Sequence, residues 1–357
     1  MNALLKLGLR TLYTSFDPLF WLRRYARNLL KSVKDTIHIE KCDSEMVSKI
    51  KSIWGGWNDW FDVYNTVGVN GQAYLYFPEN WFYDCVDAKL NNWKVCDELD
   101  DKSLYDFLFY DVPIPQTVAS CLDGQWVNEK RELSTMSQIA DICRVEGSVI
   151  IKPSVSSSGG HGISFWNKNE ESESLEGLLS KYKNCVVQRI IKQHPTLSAI
   201  HKDSVNSIRI MTMLYEGEVR VLSSVLRMGV GNMKLDNITS GGAVCGIDEN
   251  GCLRQKSYDT MGKSWDGHPS GLKLKGIEIP AWKDCCELAK SIAPRFARFS
   301  RLISWDFSVD YSGTPLLIEV NLAGGAMDPH QWCNGPIFGD EATTLQMIEH
   351  FYKQRNR

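Results

Sequence analysis

The chain has 357 residues, 43% hydrophobic and 23% charged, with a formal net charge of −3. That length can bury more than one core, and the composition is that of an ordinary globular protein. The slight negative charge argues against a nucleic-acid binder working through bulk positive charge. No apolar run is long enough to span a bilayer. Residues 3–9 are too short an apolar stretch for a signal peptide, and Lys6 and Arg10 interrupt that region. The eleven cysteines are scattered without a CxxC pair. That pattern fits reduced thiols in a cytosolic protein better than a disulfide framework or a zinc ribbon.

Residues 1–34 are basic and aromatic: Lys6, Arg10, Arg23, Arg24, Arg27, Lys31 and Lys34 face the single acid Asp17, with Tyr13, Phe16, Phe20, Trp21 and Tyr25 among them. Two readings follow. The segment lies on an anionic membrane surface, or it is a helix that packs its aromatics on the protein and solvates its arginines. Residues 35–100 read as mixed α/β, with Trp54, Trp57, Trp60, Trp81, Phe82 and Trp93 in the core. A helical run over Ser103–Phe109 is broken at Val112-Pro113-Ile114-Pro115, and an extended Gln116-Thr117-Val118 follows. Thr135 and Ser137 are candidate caps for a helix over 138–143. Val149-Ile150-Ile151 reads as a buried strand, 163–166 as its return and 185–188 as another strand.

Over 206–228 the alternation of Ile208, Ile210, Met213, Val219, Val221 and Val225 predicts an antiparallel pair turning at Glu216-Gly217. Trp282–Phe299 has helical spacing, with a kink expected at Pro294. The last pair, 304–309 and 315–320, predicts a hairpin turning at Ser312-Gly313. His161 and His268 read as solvated loop histidines, Cys245 and Cys252 as structural thiols, and Asp310 as a solvated acid near the turn.

The chemistry concentrates in two places. In the final hairpin, Glu319 and Asn321 share a strand face among Leu317, Ile318 and Val320, and Asp306 lies on the partner strand. Two carboxylates and an amide oxygen suit Mg²⁺; the alternative is a pair of strand-end acids making surface hydrogen bonds. Secondly, Lys152 ends a buried strand and the polar glycine-containing loop 154–162 follows. A buried lysine requires a negative charge, and such a loop can wrap phosphates. The lysine precedes the glycines, so this is not a Walker A loop.

This order of motifs resembles the ATP-grasp superfamily, and most closely its sugar-transfer-associated branch, over roughly residues 80–330. The resemblance implies an α/β (α+β) ATP-grasp fold, with nucleotide bound between two α/β lobes and a helical or mixed N-terminal region. Its expected parts are an N-terminal region 1–100, a small lobe 101–192 with the lid, and a C-terminal lobe 193–357 with the metal site. The family's nucleotide-binding lysines match Lys102 and Lys152. Its mobile lid matches Ser156, Ser157, Ser158, Gly159 and Gly160, and its adenine hinge matches Gln188, Arg189 and Ile190. Arg209, Arg227 and Asn237 resemble its catalytic arginine–asparagine set, with Gly241-Gly242 nearby, and Asp306, Glu319 and Asn321 its magnesium ligands. Ser304 stands where related ligases often carry an arginine for the acyl phosphate, so Arg209 or Arg227 is expected in that role.

The resemblance implies ATP and Mg²⁺ as cofactors and a ligase joining a small-molecule carboxylate to an amine through an acyl phosphate. An amino acid and a sugar derivative, in surface polysaccharide biosynthesis, are the expected substrates. The alternatives are a phosphotransferase acting on a hydroxyl acceptor and a non-catalytic scaffold of a glycan pathway. The expected place is the cytoplasm, with residues 1–34 as a peripheral contact on the inner membrane face and no nucleic-acid partner.

Overall fold

Residues 19–69, 71–155, 160–169 and 174–356 are described by a computed structural model. From 20 to 98 the chain is helical, with no strand among the described residues. Helix Phe20–Thr36 turns Ala26, Leu29 and Val33 inward at helical spacing. Asp43 caps Ser44–Trp54 by accepting from the Met46 amide at 2.8 Å, and Gly55, at φ 72°, ends it. Helix Trp60–Val67 follows, and Glu79–Phe82 runs into a π-helical turn, Tyr83–Asp87. The mixed α/β reading of 35–100 is therefore corrected. Aromatic residues favour strands in general, but here they fill one core between helices. The Trp54 ring meets Phe77 edge-on at 5.0 Å and lies 5.6 Å from Phe61. Tertiary burial outweighs local preference.

The first sheet is antiparallel, in the order β3-β2-β1-β6-β4-β5. Its strands are β1 Thr117–Leu122, β2 Gln125–Asn128, β3 Leu133–Ser134, β4 Ser148–Pro153, β5 Ser164–Asn167 and β6 Cys185–Arg189. Helix Met136–Glu146 packs on it, started by a capping box in which Thr135 and Gln138 each satisfy the other's backbone amide.

The second sheet is also antiparallel, in the order β11-β10-β9-β8-β7-β12-β13. It comprises β7 Ser207–Tyr215, β8 Glu218–Met228, β9 Ala243–Ile247, β10 Leu253–Tyr258, β11 Ser264–Asp266, β12 Leu302–Val309 and β13 Pro315–Asn321. Both faces are covered. Ile208, Ile210, Trp305 and Phe307 join the core under helix Trp282–Ile292. Met211, Met213, Val225 and Val244 join the core of the N-terminal helices.

Two bulges set which way side chains face. On β8 an extra residue, Leu222, falls where Met211 pairs with Ser223 and Thr212 with Val221. It inverts the facing, so Val219 and Val221 pack on one core and Val225 on the other. The apolar set read from 206–228 therefore does not share one face. Helix Trp282–Ile292 stops short of Pro294 and passes into a 3₁₀ turn, Ala293–Phe296. The proline ends the helix rather than kinking it, because it cannot continue the hydrogen-bond ladder.

Candidate active site

Between the two sheets lies a cleft of ≈ 710 Å³. Its floor is the part of the second sheet that carries Arg209, Arg227, Asp306 and Glu319. Arg209 pairs in register with Asp306, and Asp306 with Glu319. Arg227 lies two residues along β8 from Val225, the register partner of Arg209. Charged residues thus cross four adjacent strands on one face, where cross-strand neighbours are within reach. Arg209 donates to both Asp306 oxygens at 2.7 Å, and Arg227 adds a bond of 2.9 Å. Asp306 is 2% exposed. Burial works against its charge, but the two guanidiniums prevail and hold it below the usual carboxylate range. Asp236 accepts from the Ser207 amide at 2.9 Å and from Arg227 at 3.3 Å, tying the 229–242 loop to the same row.

The second bulge sits on β13. Asp306 pairs with Glu319 but Phe307 with Leu317, which leaves Ile318 as the extra residue. Leu317 and Val320 stay in the core, while Ile318, Glu319 and Asn321 all line the cleft. Lys102 reaches Glu319 from the opposite side at 2.9 Å. It begins the 3₁₀ turn Lys102–Leu104, and its own amide donates to Ser154 at 2.8 Å. Burial weakens its charge, yet Glu319 outweighs that and raises its pKa. Lys152, on β4, forms no ion pair among the described residues. Burial pulls it down to about 8, with Glu319 opposing.

The remaining candidates separate. Gly160 and Ile190 line the cleft; Ser156, Ser157, Ser158 and Gly159 lie outside the described residues. Gln188 is buried with its amide toward the Pro115 carbonyl at 3.4 Å, and does not line the cleft. Arg189 borders the cleft, but its guanidinium is held by Glu146 at 2.6 and 2.7 Å. Asn237 lines the cleft and uses its carbonyl oxygen to cap Ile238–Ser240. Gly242 sits beside it, where a Cβ would lie 2.8 Å from the Asp236 carbonyl. His161 is exposed. His268 corrects the solvated reading: it is 2% exposed, 2.8 Å from the Gly229 carbonyl and 2.7 Å from Ser270. Asp310 accepts from the Ser312 and Thr314 amides at 2.9 Å, so it braces its turn.

Some site residues gave no sequence signal. Tyr25 and Asp328 line the cleft, and Glu79, Asp87 and His330 are buried close by. Asp87 accepts from the Gly324 amide at 2.9 Å and anchors the loop after β13; burial pushes it up to about 7. Burial and Arg209 push His330 down to about 3, so it is neutral.

A family model described as sugar-transfer associated ATP-grasp matches residues 85–346. The chain belongs to this ATP-grasp family. Its two antiparallel sheets around a cleft are the ATP-grasp fold, here with a helical N-terminal layer. No curated protein matches the chain in sequence. Among solved structures, the biotin carboxylase domain of Hydrogenobacter thermophilus 2-oxoglutarate carboxylase is 15% identical, with 72% of this chain and 47% of that chain covered, at TM-score 0.42. D-alanyl-alanine synthetase A of Vibrio cholerae is 13% identical, with 71% and 63% covered, at TM-score 0.41. N5-carboxyaminoimidazole synthase of Aspergillus clavatus is 9% identical, with 72% and 56% covered, at TM-score 0.41. The ATP-grasp chain thus spans less than two thirds of the length of each. All eleven cysteines are free, and no described helix is long and apolar enough to cross a membrane.

Proposed function

We propose that this ATP-grasp protein joins a carboxylate to an amine through an acyl phosphate, at the expense of ATP. The observation that carries the reading is the paired arrangement of charge in one cleft. Asp306, Glu319 and Asn321 on neighbouring strands face Lys102, Lys152, Arg209 and Arg227. Four cations suit the triphosphate, and the three oxygen-bearing side chains suit magnesium. Among the described residues no group of three or more His, Cys, Asp or Glu side chains is placed to hold a metal ion, and the Asn321 amide would serve as third donor beside Asp306 and Glu319. Its nitrogen is buried without a hydrogen-bond partner, which fits an amide whose oxygen serves a ligand. Bound magnesium would neutralise phosphate oxygens. We assign the lobes to 101–192 and 193–357, a division supported by the two separate sheets, whose strands lie within 117–189 and 207–321.

In the first step a carboxylate oxygen attacks the γ-phosphorus, an O–P bond forms and ADP leaves. In the second the neutral amine nitrogen attacks the acyl carbon, a C–N bond forms, the C–O bond to phosphate breaks, and the proton lost by the nitrogen leaves with the phosphate. The chain supplies position and charge rather than a covalent partner. Lys102 and Lys152 hold phosphate from the first lobe. Arg209 and Arg227 steady Asp306 and stabilise charge growing on the transferred group.

The finer reading is an amino acid or other acid attached to an amino sugar or uronic acid in surface polysaccharide synthesis. Exposed Arg24, Arg27 and Lys31 support a peripheral contact with an anionic membrane. Salt-sensitive sedimentation with anionic vesicles tests that contact, and binding that survives deletion of residues 1–34 refutes it.

The test of function is ADP release with Mg-ATP across amino acids crossed with amino sugars and uronic acids, alongside Glu319→Gln. Release that needs both a carboxylate and an amine and vanishes in the variant supports the ligase. Release with a hydroxyl acceptor alone makes the protein a phosphotransferase.

A further inference from the structure

The charges around the cleft are unevenly matched. Asp306 is met by Arg209 and Arg227, and Glu319 by Lys102. Asp328 lines the same cleft at 1% exposure, and its Oδ1 has no hydrogen-bond partner. Behind it Glu79 is fully buried against the Tyr83 hydroxyl and the Met327 and Asp328 amides, with neither carboxylate oxygen in a well-formed hydrogen bond. Arg209, whose charge acts on Asp328, is already committed to Asp306. Tyr25, reaching in from helix Phe20–Thr36, lines the same wall and feels both carboxyls. Burial raises the pKa of both acids, Glu79 to about 7, and Glu79 raises Asp328 further.

Two buried carboxyls with no ion pair among the described residues are costly to keep. The cleft is the side from which a positive charge can reach Asp328. A phosphate or a substrate carboxylate is disfavoured at this wall, and the groups suited to anions belong to the Arg209–Arg227 and Lys102–Lys152 sets. The arrangement therefore separates an anion-binding part from a cation-binding part within one cleft.

We propose that Asp328, backed by Glu79 and faced by Tyr25, is the subsite for the ammonium group of a primary amine substrate. The inference deepens the ligase reading and rests on it for the role of the bound amine. It also gives the N-terminal helical layer a part in acceptor recognition, because Tyr25 and Glu79 both come from it.

The test is calorimetric titration of the full chain, saturated with MgADP, using D-glucosamine and D-glucose as probes. These differ by an ammonium in place of one hydroxyl. The expected result is at least tenfold tighter binding of glucosamine, with the preference falling below twofold in Asp328→Asn. ADP affinity in that variant should move less than twofold, a readout that a disordered cleft would not preserve. Asp328→Asn keeps the shape of the side chain while removing its acid, and should fold; Glu79→Gln is the second variant and should also reduce the preference. Equal binding of the two sugars by the unaltered chain, or a preference that survives both variants, overturns the proposal. Failure of the ligase reading is distinct. A chain that prefers glucosamine through Asp328 but releases ADP only with hydroxyl acceptors keeps the subsite and loses the amide chemistry.

Discussion

Replacing Asp306 by Asn should destabilise the free protein strongly, and a bound anion should reverse part of the loss. Asp306 takes three guanidinium hydrogen bonds, and the Arg209 and Arg227 side chains are only 13% and 12% exposed. The substitution leaves two buried cations facing a neutral amide; Arg227 keeps an ion pair with Asp236 at 3.3 Å, and Arg209 is left with the more distant charges of Glu319 and Asp236. Breaking a buried pair from one side costs about 3–5 kcal/mol. That is a large share of the roughly 5–15 kcal/mol that holds a domain folded. At about 2 °C per kcal/mol the melting midpoint should fall by about 6–10 °C. The assay is thermal denaturation in EDTA, with and without ADP. Phosphate groups refill the missing negative charge, so ADP should raise the midpoint more in the variant than in the native chain. A loss under about 2 °C, or an equal response to ADP, would refute the argument that these arginines depend on Asp306.

Lys152 titrates at about 8 in the fold against an ordinary 10.5, so between those values the unfolded chain holds the extra proton. Stability should therefore rise with pH across that window, by up to ~3 kcal/mol, and Lys152→Met should flatten the rise in urea midpoints. Nucleotide affinity should run the other way, weakening up to about tenfold per pH unit above 8, as isothermal titration would read. Gly324→Ala should cost about 2–4 kcal/mol in urea denaturation. Its φ is 67°, and the new Cβ would lie 2.5 Å from Trp93. Thr135→Ala removes one half of a capping box remote from the cleft and should cost about 1 kcal/mol by the same measurement, without changing turnover.

What was legible in the sequence was local. The strands around Lys152 and in the final hairpin declare themselves through short apolar runs, alternation and turn residues. Asp306, Glu319 and Asn321 could be picked out because polar groups in such strands are unusual. The bulges at Leu222 and Ile318 could not, since one extra residue in a β-rich run has no compositional mark; Ile318 nevertheless determines which side chains on β13 face the cleft. The aromatic-rich stretch before residue 100 misled because Trp and Phe fill a helical core as readily as a sheet. His268 looked like a loop histidine beside Pro269, and only the distant Gly229 carbonyl explains its burial. Tyr25, Glu79 and Asp328 are far apart in the chain, and nothing short of the fold brings them together. The row Arg227–Arg209–Asp306–Glu319 likewise depends on strand register, a long-range property.

The central claim is that the carboxylate is activated as an acyl phosphate. It is tested most directly with a substrate carboxylate labelled in both oxygens with ¹⁸O, using the acid that supports ADP release. Mass analysis of the inorganic phosphate should show one ¹⁸O per phosphate released, because the carboxylate oxygen that attacks the γ-phosphorus departs with it. Unlabelled phosphate, produced at the same rate as ADP, would contradict the account.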